Sequence, residues 1–337
     1  MKERNDCIDI LKFILASFII CLHTIQMNCY TNFFTYTLHM TQRLALPLFF
    51  MLSSYFFWRK IEDTNGKLET FGKYILRWVI CYIFWSCVHL RFYYFNWLFP
   101  TYGVLWFLYA LIIGNIIVFA LTRLISNKFF IATVVILLTI FMGLGDPWYG
   151  AVSMPLLKDI INSYYATWGT MRMGFTYGVL FSLMGYLITK YEANILTKIK
   201  NISLSKRIII FATFFIFYSI EGYYTHIHGY PKEYGFFILS VPVCALVLIA
   251  FLYPYKMGNI KITIPYARCL GSMSGLMYYI HILFYNYWVQ HYASLYYGIG
   301  EFKLDLHAFC YVYIFTTWLA FLIYLLSKKV TFLRNFF

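Results

Sequence analysis

Ten stretches of this chain are apolar for long enough to cross a bilayer, and this limits the fold more than any motif does. A helix needs about 20 mostly apolar residues to span the ~30 Å hydrocarbon layer. Inside that layer only helices and closed barrels satisfy the backbone. The stretches are residues 8–29, 44–58, 74–90, 104–121, 129–145, 171–189, 208–224, 236–253, 270–292 and 307–327. They predict an all-α, polytopic membrane protein with about ten transmembrane helices, and residues 1–337 read as a single integral membrane domain. The second stretch is short and is expected to extend outward. Residues 146–170 open on a DPWYG turn, and the MPLLKDIINSYY run after it predicts a short interfacial helix.

Composition agrees. Charged residues are 12% of the chain, where soluble domains carry about a quarter, so a soluble surface could not be covered. The net charge of +14 would suggest nucleic acid in a soluble protein, but no basic tail or recognition module accompanies it. Its distribution explains it better. With both termini in the cytoplasm, 20 of the 27 Lys and Arg residues fall in cytoplasmic segments and 6 in outer ones. That split follows the positive-inside rule. The eight cysteines form no C-x-x-C and read as small core residues, so neither a disulfide framework nor a metal site is expected. The N-terminal MKERNDCIDILK leads into its span without a small-residue cleavage site, and no cleaved leader is expected. Motifs for a hydrolase elbow, a Walker loop, a zincin or a dinucleotide turn are missing, as is an internal repeat.

Ionisable groups inside a span are costly and are candidates for function. The first span carries Asp9, Lys12 and His23. Lys12 and His23 are eleven residues apart, close to three helical turns, so they share a face about 16 Å apart along the axis. Asp9 lies one turn before Lys12, within reach of it. Lys12 could instead snorkel to the headgroups with Asp9 as its surface partner. His23 needs a polar partner or a wet cavity. His281 lies within the ninth span, where a packing role across helices is the alternative. Arg172 and Glu221 stand at the outer ends of the sixth and seventh spans, either lining a cavity or anchoring the interface. His226 and His228 form an H-x-H with no third ligand in view. Trp97, Tyr102, Trp148 and Tyr149 in outer loops could stack on sugar rings or serve as interface anchors.

Six runs in order resemble the acyltransferase 3 family of integral membrane acyltransferases, over nearly the whole chain. Lys12, ten residues and His23 resemble its basic-x10-His signature. PLFFMLSSY, ending at Tyr55, resembles its PLFFxxSGY. Lys73 and Arg77 with Trp85, LWFLYALI from Leu105, and Arg172 through Tyr186 follow the family pattern. GSMSGLMYYIH, from Gly271 to His281, resembles GxxSxxxYxxH. Two positions depart: Lys12 stands where many members have Arg, losing the bidentate fork, and Ser54 replaces a glycine.

The resemblance implies transfer of an acyl group, most often acetyl, from cytoplasmic acyl-CoA to a hydroxyl of a surface or exported glycan, at the inner (plasma) membrane. It assigns Lys12, Lys73 and Arg77 to the donor phosphates. His23 becomes the general base or an acyl carrier, with His281 as a second catalytic candidate. Asp9, Ser53, Arg172 and Glu221 fall to the substrates. No metal is implied. Partners are the bilayer, acyl-CoA, the glycan and, for an oligomer or a polysaccharide-assembly complex, further proteins. The family also resembles, in one branch, the membrane half of vancomycin-resistance serine racemases, thought to handle serine uptake. Small-molecule transport, or a non-catalytic part in polysaccharide export, is therefore the alternative.

Overall fold

The computed structural model describes residues 6–25, 32–64, 66–89, 104–125, 127–173, 175–257, 264–291 and 301–330. The described chain is helical: α1 Asp6–Thr24, α2 Phe33–Arg43, α3 Ala45–Glu62, α4 Leu68–His89, α5 Trp106–Leu124, α6 Lys128–Gly145, α7 Pro155–Trp168, α8 Thr176–Lys190, α9 Glu192–Lys200, α10 Leu204–Ile227, α11 Ser240–Met257, α12 Ala267–His291 and α13 Glu301–Lys329. Every predicted stretch coincides with a helix. The outer ends of the first, third and ninth stretches lie outside the described residues, as do Trp97 and Tyr102. Among the described residues, five helices are long and apolar enough to cross a membrane: α1, α4, α5, α10 and α13. Stretches 129–145 in α6 and 240–252 in α11 are apolar but shorter. Each of the remaining three is short or charged at an end: α8 has 15 residues and ends on Lys190, and α3 ends on Arg59, Lys60 and Glu62.

Three helices lie outside the predicted stretches. A short helix does follow the DPWYG turn: it is α7, with proline in its first turn, where a missing N–H costs nothing. α2 was not foreseen. Asn32 and Thr35 start it with a reciprocal capping box. It runs almost straight into α3, with Leu44 the one residue between them in αR geometry. Pro47 accounts for the break, since it can neither donate to the Arg43 carbonyl nor tolerate it in line. The outward extension of the second span is therefore a separate helix, and α3 itself lengthens at its other end, to Glu62. α9 is a short helix after α8.

Close helix pairs make the core. α8 packs on α3 and α5 through small residues. A Cβ on Gly178 would lie 2.8 Å from the Ala110 carbonyl carbon. Beside this crossing, Asn115 donates to Ser182 Oγ at 3.0 Å and Ser54 donates to the same oxygen at 3.1 Å. Buried polar groups in an apolar bundle need such partners. The extra bulk of Ser54 is absorbed opposite Gly185, where a Cβ would come within 2.6 Å of it. Residue order along these contacts gives direction. Ala110 and Asn115 meet Gly178 and Ser182, so α5 and α8 run parallel. α1 runs parallel to α12, with Asp9 on Gly271 at one end and His23 on His281 at the other. α13 runs antiparallel to α12, pairing Trp288 with Tyr311 and Phe284 with Phe315.

Candidate functional site

The α1–α12 pair builds the site. Asp9 is buried and rests on Gly271, where a Cβ would lie 2.5 Å from its carboxylate carbon. Only glycine allows that approach. Lys12 Nζ stands 3.8 Å from Asp9 Oδ1 and 5.0 Å from the Phe56 ring centre. The predicted stripe is therefore real at this end, and its lysine opens onto a cavity of about 600 Å³. Ser53, Lys60 and Arg77 share the lining with Lys12, and Phe49, Leu52 and Phe107 make much of its apolar wall. Lys73 is not part of it. That lysine is exposed and donates to Glu69 at 2.6 Å, one turn away on α4.

His23 and His281 meet at the other end of the stripe, ring centres 5.1 Å apart and planes 41° to each other. His281 is fully buried. Its Nδ1 lies 3.1 Å from the Met277 carbonyl oxygen. A carbonyl only accepts, so that nitrogen carries the proton and Nε2 holds the lone pair. Nε2 is buried and has no hydrogen-bond partner among the described residues. His23 itself is exposed. Arg172 and Arg43 are the charges that reach it. Tyr278 stands between the cavity and this pair. It lines the cavity, its ring centre is 6.0 Å from that of His281, and its hydroxyl donates to the Val104 carbonyl at 2.6 Å.

The remaining predicted residues sit beyond the histidines. Arg172 Nε is 3.7 Å from Glu233 Oε2, and its guanidinium lies 5.8 Å from the Trp106 ring centre. Burial pushes the Glu233 carboxyl up to about 7, with Arg172 opposing the shift. Glu221 faces backbone. Its oxygens accept from Ile238 N and Leu239 N at 2.9 Å, just before α11, and from Trp148 Nε1 at 3.2 Å. Asp146 does the same for the loop ahead of it, accepting from the amides of Glu233, Gly235 and Phe236 at 2.9, 2.5 and 2.8 Å. Arg43 donates to His39 Nε2 at 2.6 Å and to the Tyr234 carbonyl. His226 and His228 turn to different partners, the Tyr234 hydroxyl and the Tyr224 carbonyl.

Sequence reading missed Lys60, Tyr278 and His89. Lys60 lies past the predicted end of its span. Tyr278 is the tyrosine of the GxxSxxxYxxH run and was passed over for the histidine. His89 is buried in the last turn of α4, with Nε2 3.0 Å from the Tyr279 carbonyl oxygen, so it ties α4 to α12 two residues from His281.

The acyltransferase 3 family model, described as an acyltransferase domain, matches residues 5–325. An amino-acid racemase of Enterococcus faecalis is 25% identical over 280 residues, which cover 76% of this chain and 38% of that protein. The chain thus spans well under half the length of this curated relative. No solved structure matches the chain.

Proposed function

The chain belongs to the acyltransferase 3 family, and on that premise we propose that it is a membrane-embedded O-acyltransferase, moving an acyl group, acetyl in the first instance, from cytoplasmic acyl-CoA to a hydroxyl of a surface or exported glycan. One observation carries the reading: α1 and α12 hold two histidines face to face at one end of a polar stripe whose other end is a cationic cavity.

Ten crossings with both termini inside follow from the charge distribution and are supported by helix direction. α1 and α12, the first and ninth spans, run parallel, as do α5 and α8, the fourth and sixth. The Lys12 end then faces the cytoplasm of the inner membrane. Lys12, Lys60 and Arg77 fit the CoA phosphates there. Beyond Tyr278, a neutral His23 takes the proton of the acceptor hydroxyl as its oxygen attacks the thioester carbonyl. The new ester C–O bond forms, the C–S bond breaks, and the proton passes to the departing thiolate. His281, its tautomer set by Met277, holds the base in place. Orientation in a site shielded from water supplies much of the rate.

The test is transfer of label from acetyl-CoA into glycans and lipid-linked sugars in membrane vesicles. His23→Ala should abolish it while the protein inserts at normal levels, and label retained in that variant refutes the mechanism. The match to an amino-acid racemase keeps transport as the second reading. Accumulation of serine by proteoliposomes without CoA would favour it.

A further inference from the structure

Beyond the His23 end, aromatic residues from three segments converge on one surface. Trp148 and Tyr149 come from the loop after α6, Tyr224 and His228 from the end of α10, and Tyr230 from the loop that follows. Tyr224 is 42% exposed. Its ring centre lies 4.2 Å from that of His228 and 5.8 Å from that of Trp148, and His228 is 5.3 Å from Tyr230. Gly150 lets the two loops join: its amide donates to the Tyr230 carbonyl at 2.9 Å, and a Cβ there would sit 2.8 Å from the Tyr230 backbone. Interface aromatics ordinarily ring a bundle singly at headgroup depth. These rings instead touch one another and form a platform.

Cations edge the platform. Lys232 Nζ lies 4.3 Å from the Tyr149 ring centre and 3.9 Å from that of Tyr165, and it donates to Asn162 Oδ1 at 2.8 Å. Lys158, Asn162 and Tyr165 fall at i, i+4 and i+7 of α7, on one face of the helix, while Asp159 is turned about 100° away from Lys158. Lys158 also lies 5.8 Å from the Tyr149 ring centre. The carboxylates nearest this surface are engaged behind it rather than with these two lysines. Glu221 and Asp146 spend their oxygens on backbone amides. The next residue after Lys232, Glu233, pairs with Arg172, and Arg172 is one of the two charges that reach His23. Cations thus stand both at the platform edge and near His23.

We propose that this platform binds the acceptor, and that the acceptor is an acidic oligosaccharide. Sugar rings lie on Trp148, Tyr224 and Tyr230, and their carboxylate or phosphate groups meet Lys158 and Lys232. Amphipathic rings with wet edges suit the first contact, and charge complementarity supplies the selectivity in the second. The proposal rests on the glycan acylation reading and names its substrate class.

Binding is measured without catalysis. The full chain is purified in detergent, and saturation-transfer NMR follows oligogalacturonate and the neutral maltohexaose. The wild type should bind oligogalacturonate at least about 10-fold more tightly. Lys158→Gln with Lys232→Gln, both near the surface, should remove that preference. Tyr224→Ala with Tyr230→Ala should weaken both sugars about 10-fold. Equal affinity for the two probes, no binding of either, or affinities unchanged in both double variants overturns the proposal. Acidic-sugar binding without label transfer would count against the acylation reading alone, whereas transfer with no acidic preference would count against this one alone.

Discussion

Gly271→Ala is expected to disable the site without touching a histidine. The new methyl carbon would sit 2.5 Å from both Cβ and Cγ of Asp9. Ordinary carbon contacts are about 3.5–4.0 Å, so α1 and α12 must part by about 1 Å or the carboxylate must swing off its lysine. Overpacking of this kind costs ~1–3 kcal/mol of stability. The same shift propagates along a parallel pair to His23 and His281, and a misplacement of about 1 Å can lower the rate by about 100-fold. Gly72 is the internal control. It lies within α4 with nothing inside 4 Å of its Cβ position, so Gly72→Ala should leave transfer unchanged and add about 0.5–1 kcal/mol of helix stability. The assay is label transfer at saturating acetyl-CoA, with thermal unfolding in detergent beside it. Asp9→Gly, which removes both carbons that the methyl would meet, closes the cycle: if the clash is the cause, the double variant should be no slower than Asp9→Gly alone. A Gly271→Ala protein at wild-type rate, or a double variant slowed by the product of the single effects, would refute the packing argument.

Three further outcomes are expected. Lys12→Gln should raise the acetyl-CoA KM about 10-fold, a loss of about 1.4 kcal/mol of binding, while Lys12→Arg keeps the wild-type KM; steady-state kinetics against donor concentration checks both. Glu233 favours its protonated form in the folded protein, with its pKa up from 4.5 to about 7. The folded state therefore holds a proton that the unfolded chain has released between those values, and the Glu233 contribution to stability falls as pH rises through that window. Glu233→Gln should flatten this part of the unfolding profile measured in detergent, and an unaltered slope would contradict it. Asp146→Ala leaves three amides without their acceptor, one buried and two partly buried, at about 1–3 kcal/mol for the buried one and less for the others; unfolding should show a loss of about 2 kcal/mol or more, with a disordered approach to the aromatic platform.

The stripe on α1 was legible because eleven residues make three turns, so spacing alone puts Lys12 and His23 on one face. Their partners were not. His281 lies 258 residues after His23, and nothing in local periodicity says that α12 packs parallel to α1. That fact came from a glycine: Gly271 reads in the sequence as the first residue of the GxxSxxxYxxH run, and its packing role appears only when the Asp9 carboxylate is found resting on it. Cations were harder to rank. Lys60, Lys73 and Arg77 carry the same charge near the same end, but Lys73 meets Glu69 on the outside of α4 while Lys60 and Arg77 turn inward. The carboxylates show the deeper limit. Glu221 was singled out because ionised groups near a bilayer are expensive, and that reasoning identifies an unusual residue without saying what satisfies it. Here the satisfaction is backbone: Glu221 receives the amides ahead of α11, and Asp146 receives those of the preceding turn. Neither engagement leaves a signature in spacing, since the amides come from a loop that any sequence can form. What the two caps fix is the course of the loop that carries Lys232 and Glu233, so loop architecture, more than residue type, sets where those charges stand.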